Sequence, residues 1–265
     1  MIVIYDPGDA DMSEGKRPLA TRPYFARLTQ AFVTALSAPM AQGKLYEVDM
    51  RLRPSGNQGP VAVSLAGFTN YQQNEAWVWE HLALTRARVV AGEAALAAEI
   101  ETFRAAFLAQ PRNLAKVLQE VSEMRVRLAA AKAPSGLWDA KNGAGRMMDI
   151  ELLSQAGALT SDSVARDVAS GLLGAVAAGW LNDADAEYLT ASYRLFWSVQ
   201  SAARLLSGKA IEAETIGEGG AQFLCRTTGY ARLDALEQEL QTRYKRCAAL
   251  IAEALERDGA DEGQH

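Results

Sequence analysis

LYEVDMRLRPSGNQGP, residues 45–60, passes from an alternating pattern into a glycine loop. Side chains of a strand point alternately to opposite faces, so the alternation predicts a strand over Leu45–Leu52. The apolar side chains would share the buried face: Tyr46, Val48, Met50 and Leu52. The charged side chains would share the other face: Glu47, Asp49, Arg51 and Arg53. Pro54 cannot donate to a strand ladder, and the residues up to Pro60 predict a sharp turn.

Charges in this order have two interpretations. Paired carboxylates can hold a hard cation such as Mg²⁺, guanidiniums grip phosphate oxygens, and small loop residues let backbone amides approach a ligand. A solvated strand face with weak cross-strand ion pairs carries the same pattern. The pattern alone therefore leaves both a phosphate–metal site and an exposed face open.

The composition is that of a globular protein with a substantial core, since 49% of the 265 residues are hydrophobic and 22% are charged. A net charge of −5 argues against nucleic acid or an anionic membrane as the partner of the whole chain. No apolar run approaches the ~20 residues that a membrane helix needs. We therefore expect a cytoplasmic protein that does not enter a membrane.

Cysteine and histidine are scarce. Cys225 and Cys247 have no histidine or second cysteine at metal-ligand spacing, which indicates a reducing compartment without disulfides or structural zinc. His81 and His265 are the only histidines. With so few histidines, the sequence argues against a mechanism built on paired histidines or on a Ser-His-Asp triad.

The N-terminal part predicts a mixed α/β unit. A continuous apolar run predicts a central strand over Ile2–Tyr5, helical spacing predicts a helix over Tyr24–Leu36, and the strand described above follows. A domain that starts within its own sheet is unusual, and we interpret this start as a truncation. Ser64 would cap one long helix, on which Glu80 and Arg88 can face the same side.

The remainder of the chain predicts helices separated by glycine and proline turns. We expect them at 93–108, 114–132, from residue 149 onward, 163–178, 183–206 and 232–257. Residues 216–229 are interrupted by glycines and predict a link, and the polar tail at 259–265 predicts disorder. The expected fold class is α+β and mostly α, with one domain at 1–92 and a helical one at 93–258.

Three stretches keep the order and spacing of one known family: LYEVDMRLRPSGNQGP at 45–60, EAWVWEHLALTRARVVAG at 75–92 and KNGAGRMMDIELLSQ at 141–155. With IVIYD at 2–6 they resemble the glutamine synthetase adenylyltransferases. They are more similar to the C-terminal, adenylylating half of those enzymes than to the N-terminal half. The resemblance implies a partial polymerase-beta-like nucleotidyltransferase sheet followed by an all-helical bundle domain.

The resemblance also implies a function, the transfer of AMP from ATP to a tyrosine of glutamine synthetase in the control of nitrogen assimilation. By this likeness Asp49 is catalytic and is the third carboxylate of a Mg²⁺ site. Arg51 and Arg53 would contact the phosphates of ATP, and Gly56 and Gly59 would shape the adjoining loop. Supporting positions are expected around the site at Glu47, Glu80, Arg88, Lys141, Asp149 and Glu151.

The family's first two metal carboxylates lie in a Gly-Ser…Ser-Asp-x-Asp signature that is missing from the sequence. One carboxylate cannot organise two Mg²⁺ ions around a triphosphate, so we expect little or no AMP transfer by this chain alone. The alternative is a non-catalytic protein that binds glutamine synthetase or a PII-type nitrogen-signalling protein. An incomplete sheet would also favour self-association through its edge.

Overall fold

A computed structural model describes residues 1–161, 163–164, 166–207, 211 and 216–256. The chain forms two compact units, Met1–Phe107 and a second one that begins at Leu108. The described residues contain ten α-helices and one two-stranded parallel sheet, which confirms a mostly helical α+β fold. The more specific likeness to a polymerase-beta-like sheet stays a prediction.

The first unit holds both strands. Its elements are β1 (Ile4–Tyr5), α1 (Thr21–Ser37), β2 (Val63–Ser64), α2 (Leu65–Asn74), α3 (Val78–Thr85) and all but the last residue of α4 (Ala94–Leu108). The second unit is helical. Its elements are α5 (Leu114–Ala131), α6 (Met147–Leu159), α7 (Val168–Ala177), α8 (Asp183–Ser207), α9 (Gly217–Thr228) and α10 (Leu233–Glu256).

The sheet pairs β1 with β2 in parallel, with Ile4 opposite Val63 and Tyr5 opposite Ser64. Parallel strands need a crossover connection, and α1 lies within it. The ring of Tyr5 stacks on Phe25 of α1, with ring centroids 4.1 Å apart. The strand predicted over Ile2–Tyr5 and the helix predicted over Tyr24–Leu36 are therefore confirmed, the strand at half its expected length.

The strand predicted over Leu45–Leu52 is wrong, because this segment is irregular. A strand needs a neighbour along its length, yet the Tyr46 N–H donates to the Leu36 carbonyl in the last turn of α1 (2.9 Å) and the Arg53 N–H donates within its own turn. The face predicted to be buried is consequently only partly covered. Tyr46 is 68% exposed and Leu52 is 41% exposed, while Val48 and Met50 are half-buried.

A small apolar cluster organises the first unit. Phe68, Leu84 and Phe107 are buried at its centre, and Phe103 packs against them. Two of these four residues, Phe103 and Phe107, belong to α4, so the compact unit extends to Phe107. The domain boundary after residue 92 stays a prediction. In contrast, α1 leaves one apolar row uncovered, formed by Tyr24, Leu28 and Phe32 at 40–51% exposure.

The long helix predicted after Ser64 is divided into α2 and α3. Ser64 caps α2 as predicted, because its Oγ accepts from the Gly67 N–H at 3.2 Å. The chain then leaves the helix after Asn74, and α3 begins four residues later with a new cap at Trp77. Because α2 and α3 are separate helices, side chains of this region that were expected on one helix face need not lie on the same face.

Close backbone contact defines the second unit. A Cβ on Gly157 of α6 would lie 2.1 Å from the carbonyl oxygen of Gly171 in α7, so both helices depend on glycine where they cross. The Ser154 hydroxyl donates to the Val168 carbonyl at 3.0 Å and ties the same crossing. The helices predicted at 114–132, 183–206 and 232–257 are confirmed over the described residues.

The link predicted over 216–229 is wrong, because Gly217–Thr228 form helix α9. Its glycines lie in the first turn of the helix, where they destabilise the helix little. Gly229 ends the helix in the left-handed conformation with φ of 78°, a common helix stop. The helix predicted from residue 163 begins only at Val168, because Asp167 accepts from the Ser170 N–H and caps it there.

No helix among the described residues has both the length and the apolar character needed to cross a bilayer. The tail at 259–265, where disorder was predicted, lies outside the described residues.

Candidate functional site

Asp49 and Arg51 form an ion pair within residues 45–60. The Arg51 Nε donates to both carboxylate oxygens of Asp49, at 3.0 and 2.9 Å, and the Arg51 backbone N–H donates to Oδ1 at 2.9 Å. The Asp49 side chain is 58% exposed and that of Arg51 is 76% exposed. The two side chains predicted to share a face do lie side by side, although on an irregular segment.

This pairing changes the acidity of the carboxyl. The hydrogen bonds from the Arg51 guanidinium, and then from its backbone N–H, hold the pKa of Asp49 well below its usual range. Asp49 therefore stays ionised at every pH near neutrality. Because the pair is open to solvent and salt, it contributes little to stability and remains accessible to another charged group.

Arg53 holds the glycine loop together. Its Nη1 donates to the Met50 carbonyl at 3.0 Å, and its Nε and Nη2 each lie 3.3 Å from the carbonyl oxygens of Gly59 and Asn57, respectively. Its three nitrogen donors are thus directed at backbone carbonyls. A contact of Arg53 with ATP phosphate stays a prediction, and it would require at least one of these bonds to open.

The glycines of the loop are required by its path. Gly56 has φ of 53° and begins a single 3₁₀ turn, Gly56–Gln58. A Cβ on Gly59 would lie 1.8 Å from the carbonyl oxygen of Pro54, which no side chain could tolerate. The path of the loop therefore depends on both glycines. Nearby, Glu47 is exposed and pairs with Lys44 at 2.7 Å.

Residues 45–60 do not by themselves fit a Mg²⁺–ATP site. Mg²⁺ prefers near-octahedral oxygen ligation, and a triphosphate needs several carboxylates around its metal ions. Both oxygens of Asp49 are occupied by Arg51. Within the part of the chain that the structure describes, no group of three or more His, Cys, Asp or Glu side chains could hold a metal ion.

Glu80 caps α3 from a buried position. The Tyr71 hydroxyl donates to both of its carboxylate oxygens at 3.1 Å, and the Trp77 backbone N–H donates to Oε2 at 3.0 Å. Because α3 ends at Thr85, Arg88 lies outside the helix and is exposed. The prediction that Glu80 and Arg88 share a helix face is therefore wrong.

The second unit contains another aspartate–arginine pair, which sequence reasoning missed. Arg125 of α5 donates through Nε and Nη2 to the two oxygens of Asp149, the latter at 2.9 Å. The Gly145 N–H adds a bond to Oδ2 at 2.7 Å. The side chain of Asp149 is 7% exposed and that of Arg125 is 19% exposed. Asp149 lies in the first turn of α6 as predicted, but it also anchors this pair.

Asp139 organises the connection between α5 and α6. Its carboxylate accepts from the backbone N–H groups of Ser135, Lys141 and Asn142 at 3.0–3.2 Å. Burial alone would raise the pKa of Asp139, but these donors outweigh it and lower the pKa. Residues 138–141 consequently form a largely buried turn.

Arg146 closes the same connection. Its Nη1 donates to the carbonyls of Gly136 (2.8 Å) and Asp139, and its guanidinium lies 4.2 Å from the ring centroid of Tyr244 in α10. Gly145 has φ of 68°, and a Cβ there would lie 2.1 Å from the Tyr244 carbonyl oxygen. The third matching stretch, 141–155, is therefore a tightly packed joint of the second unit.

Two further predicted positions belong to this joint. Glu151 accepts from the Tyr193 hydroxyl of α8 at 2.9 Å. The Lys141 carbonyl accepts from the Met148 N–H at 3.1 Å and so supports the start of α6. A direct part of Lys141, Asp149 or Glu151 in catalysis stays a prediction.

Known protein families match both units. A family model for glutamate-ammonia ligase adenylyltransferase matches residues 1–103, and one for GlnD PII-uridylyltransferase matches residues 115–257, more than half of the chain. Both names describe nucleotidyltransferases, and the chain is similar to proteins of that class.

Curated relatives sharpen this assignment. Bifunctional glutamine synthetase adenylyltransferase/adenylyl-removing enzymes are 38% identical over 91% of this chain in Mesorhizobium japonicum and 39% over 92% in Brucella suis. The enzyme of Xanthobacter autotrophicus is 43% identical over 77% of the chain and is matched over 21% of its own length. The chain belongs to the glutamine synthetase adenylyltransferase family. It spans about a quarter of the length of the first two relatives.

Proposed function

We propose that this chain serves the adenylylation of glutamine synthetase, in which AMP passes from ATP to a tyrosine of that enzyme. The observation that carries the proposal is the similarity to adenylyltransferases over nine-tenths of the chain. The exposed Asp49–Arg51 pair supports it, because an ionised carboxylate beside a guanidinium is open to solvent there. Glutamine synthetase is then the protein partner, and the proposed location is the cytoplasm.

We further propose that the chain alone transfers little or no AMP. The described residues 45–60 offer two carboxylates and both are already paired, Glu47 with Lys44 and both oxygens of Asp49 with Arg51. ATP and Mg²⁺ remain the implied cofactors of the reaction, but this donor set is too small to hold them productively. The missing carboxylates would have to come from outside these residues.

The test is an AMP-transfer assay with the purified chain, glutamine synthetase, ATP and Mg²⁺. We expect wild type, Asp49→Asn and the matched control Asp9→Asn to give the same background signal. Asp9 is an exposed acid of the same unit. Robust Mg²⁺-dependent transfer that Asp49→Asn abolishes and Asp9→Asn keeps would contradict the proposed inactivity, while confirming the role of Asp49.

A second candidate function is binding without chemistry. It is favoured by the second unit, whose residues 115–257 match the model of an enzyme named for a PII protein. In this case the chain would bind glutamine synthetase or a PII-type signalling protein without nucleotide. Co-sedimentation of the purified chain with each protein, in the absence of ATP, distinguishes the two partners. Failure to sediment with either one would exclude this candidate.

Self-association is the remaining proposal about partners. The uncovered row of Tyr24, Leu28 and Phe32 on α1 supports it, since apolar surface of this kind favours contact with another chain. Light scattering at tens of micromolar would then give a mass above 28.6 kDa. A monomer at that concentration would contradict the proposal, and Leu28→Glu would provide the control for its location.

A further inference from the structure

We propose that the second unit binds a small organic anion, in the groove between α5 and the connection that leads into α6. The ligand class is an aliphatic carboxylate or phosphate ester. Arg125 and Lys132 would hold the anionic group. This inference is independent of AMP transfer, because it concerns a different part of the chain and needs neither ATP nor Mg²⁺.

The groove is small. Its volume of about 250 Å³ lies just below the ~300–1,000 Å³ of typical ligand pockets, so it suits only a small ligand. A whole nucleotide would need more room, whereas a short-chain carboxylate fits. Its wall is mostly apolar and is formed by Val126, Leu128, Ala129, Met148 and Leu152.

The groove carries a surplus of positive charge. Arg125, Lys132 and Asp149 line it, so two basic residues and a single acidic one border the groove. Arg125 uses Nε and Nη2 for Asp149, and its Nη1 has no hydrogen-bond partner among the described residues. The Lys132 ammonium likewise makes no ion pair within the described part of the chain. One negative charge on a ligand would balance the site.

Arg125, one of the two basic residues that line the groove, is held in place before any ligand arrives. The buried pair with Asp149 fixes the guanidinium, and the Gly145 N–H fixes Asp149 in turn. A fixed guanidinium loses little conformational freedom on binding, which favours recognition of a planar carboxylate or a phosphate. Lysine at the end of a helix is ordinary by itself, but here it lies beside this second cation and an apolar wall.

The polar rim adds neutral groups. Ser122 lies on α5, and Asn142, Gly143 and Ala144 belong to the connection before α6. Gly143 has φ of 115°, so the backbone passes the groove in a conformation that other residues rarely adopt. Because residues 143 and 144 both line the groove, their amides are suitable reporters of a ligand.

The test is a titration of the ¹⁵N-labelled full chain with butyrate and with butyl phosphate, followed through the amide shifts of residues 143–145. We expect saturable shifts at millimolar concentrations for at least one probe, and the tighter probe identifies the anionic group. Inorganic phosphate, which lacks the aliphatic part, should bind more weakly. Linear shifts without saturation for both butyl probes would overturn the proposal.

Two variants locate the site. Lys132→Gln removes an exposed charge and should weaken binding about tenfold, the usual loss for one charge-assisted hydrogen bond. The matched control Lys116→Gln lies sixteen residues earlier, about 24 Å along α5 at ~1.5 Å per residue, and should leave binding unchanged. Equal affinities for wild type and Lys132→Gln, or equal losses for the two variants, would overturn the assignment.

Discussion

The two units of this protein each present an aspartate–arginine pair, and the pairs differ in almost everything except their chemistry. Asp49 and Arg51 are two residues apart, and their side chains are 58% and 76% exposed. Arg125 and Asp149 are 24 residues apart, with side chains 19% and 7% exposed. Exposed pairs are weak and accessible, whereas removing one partner of a buried pair is costly. The pair in the second unit therefore holds the fold, and the pair in the first unit remains available to a partner.

The largest expected effect comes from Asp149→Asn. It leaves the Arg125 guanidinium buried without its counter-charge, and this should lower the free energy of unfolding of the second unit by about 3–5 kcal/mol. Urea denaturation followed through hydrogen exchange of α6 amides measures it. The matched control is Asp234→Asn, which removes an exposed Arg232–Asp234 pair with the same two-residue spacing as Asp49 and Arg51. The control should show no resolvable change, and equal losses would refute the contrast.

The next effect comes from Gly145→Ala. A Cβ at this position meets the Tyr244 carbonyl, and φ of 68° adds strain, so we expect a loss of about 2–4 kcal/mol. Gly229→Ala is the matched control, since its φ is 78° but the space around it is open. It should cost only about 1 kcal/mol from strain. Thermal unfolding of both variants measures the difference between their stability losses. Similar losses for Gly145→Ala and Gly229→Ala would contradict the prediction.

A smaller effect concerns pH. The pKa of Asp139 is lower in the folded protein than its ordinary value of 3.8. Asp139 therefore contributes stability that is complete above pH 3.8 and disappears as the pH falls through the lowered folded value. Asp139→Asn should lose about 1–2 kcal/mol at pH 7 and show a flatter decline below pH 4. Urea midpoints measured from pH 7 to pH 2 test this, and parallel curves would show that another group is responsible.

The smallest expected effect is that of Asp49→Asn on stability. Its pair with Arg51 is exposed and local, so hydrogen exchange in the first unit should not change measurably. Amides of α2 provide the reading, since Phe68 places this helix in the buried cluster. A clear loss of protection would mean that the pair anchors residues 45–60, and the account of an available charge would then fail.

Helices could be predicted from the sequence where the information is local. Helical spacing predicts α1, the segments between glycine and proline turns predict α4, α5, α8 and α10, and Ser64 is predicted as a cap. The strand at Leu45–Leu52 could not be judged in this way, because a strand forms only beside another strand. The glycines of α9 wrongly predict a link, since the cost of a glycine depends on whether it lies at the end or in the middle of a helix.

The same limit applies to the candidate site. Asp49 and Arg51 are near neighbours, so their proximity could be predicted from alternation even though the strand itself is absent. The partner of Asp149 is 24 residues away on another helix, and no local pattern indicates it. Arg53 was expected to face a ligand, but the carbonyls of its own loop satisfy it first. It is therefore easier to predict from the sequence which charged groups are present than which groups they pair with.

Double-mutant cycles on the two pairs test the central claim most directly, with Asp→Asn and Arg→Met changes at 49 and 51 and at 149 and 125. Urea unfolding, read by hydrogen exchange in each unit, gives the coupling energy. We predict a coupling of at least about 2 kcal/mol for Arg125 and Asp149, and none that can be resolved for Asp49 and Arg51. Equal couplings, or a larger one for the exposed pair, would contradict the division between a pair that holds the fold and a pair that remains available.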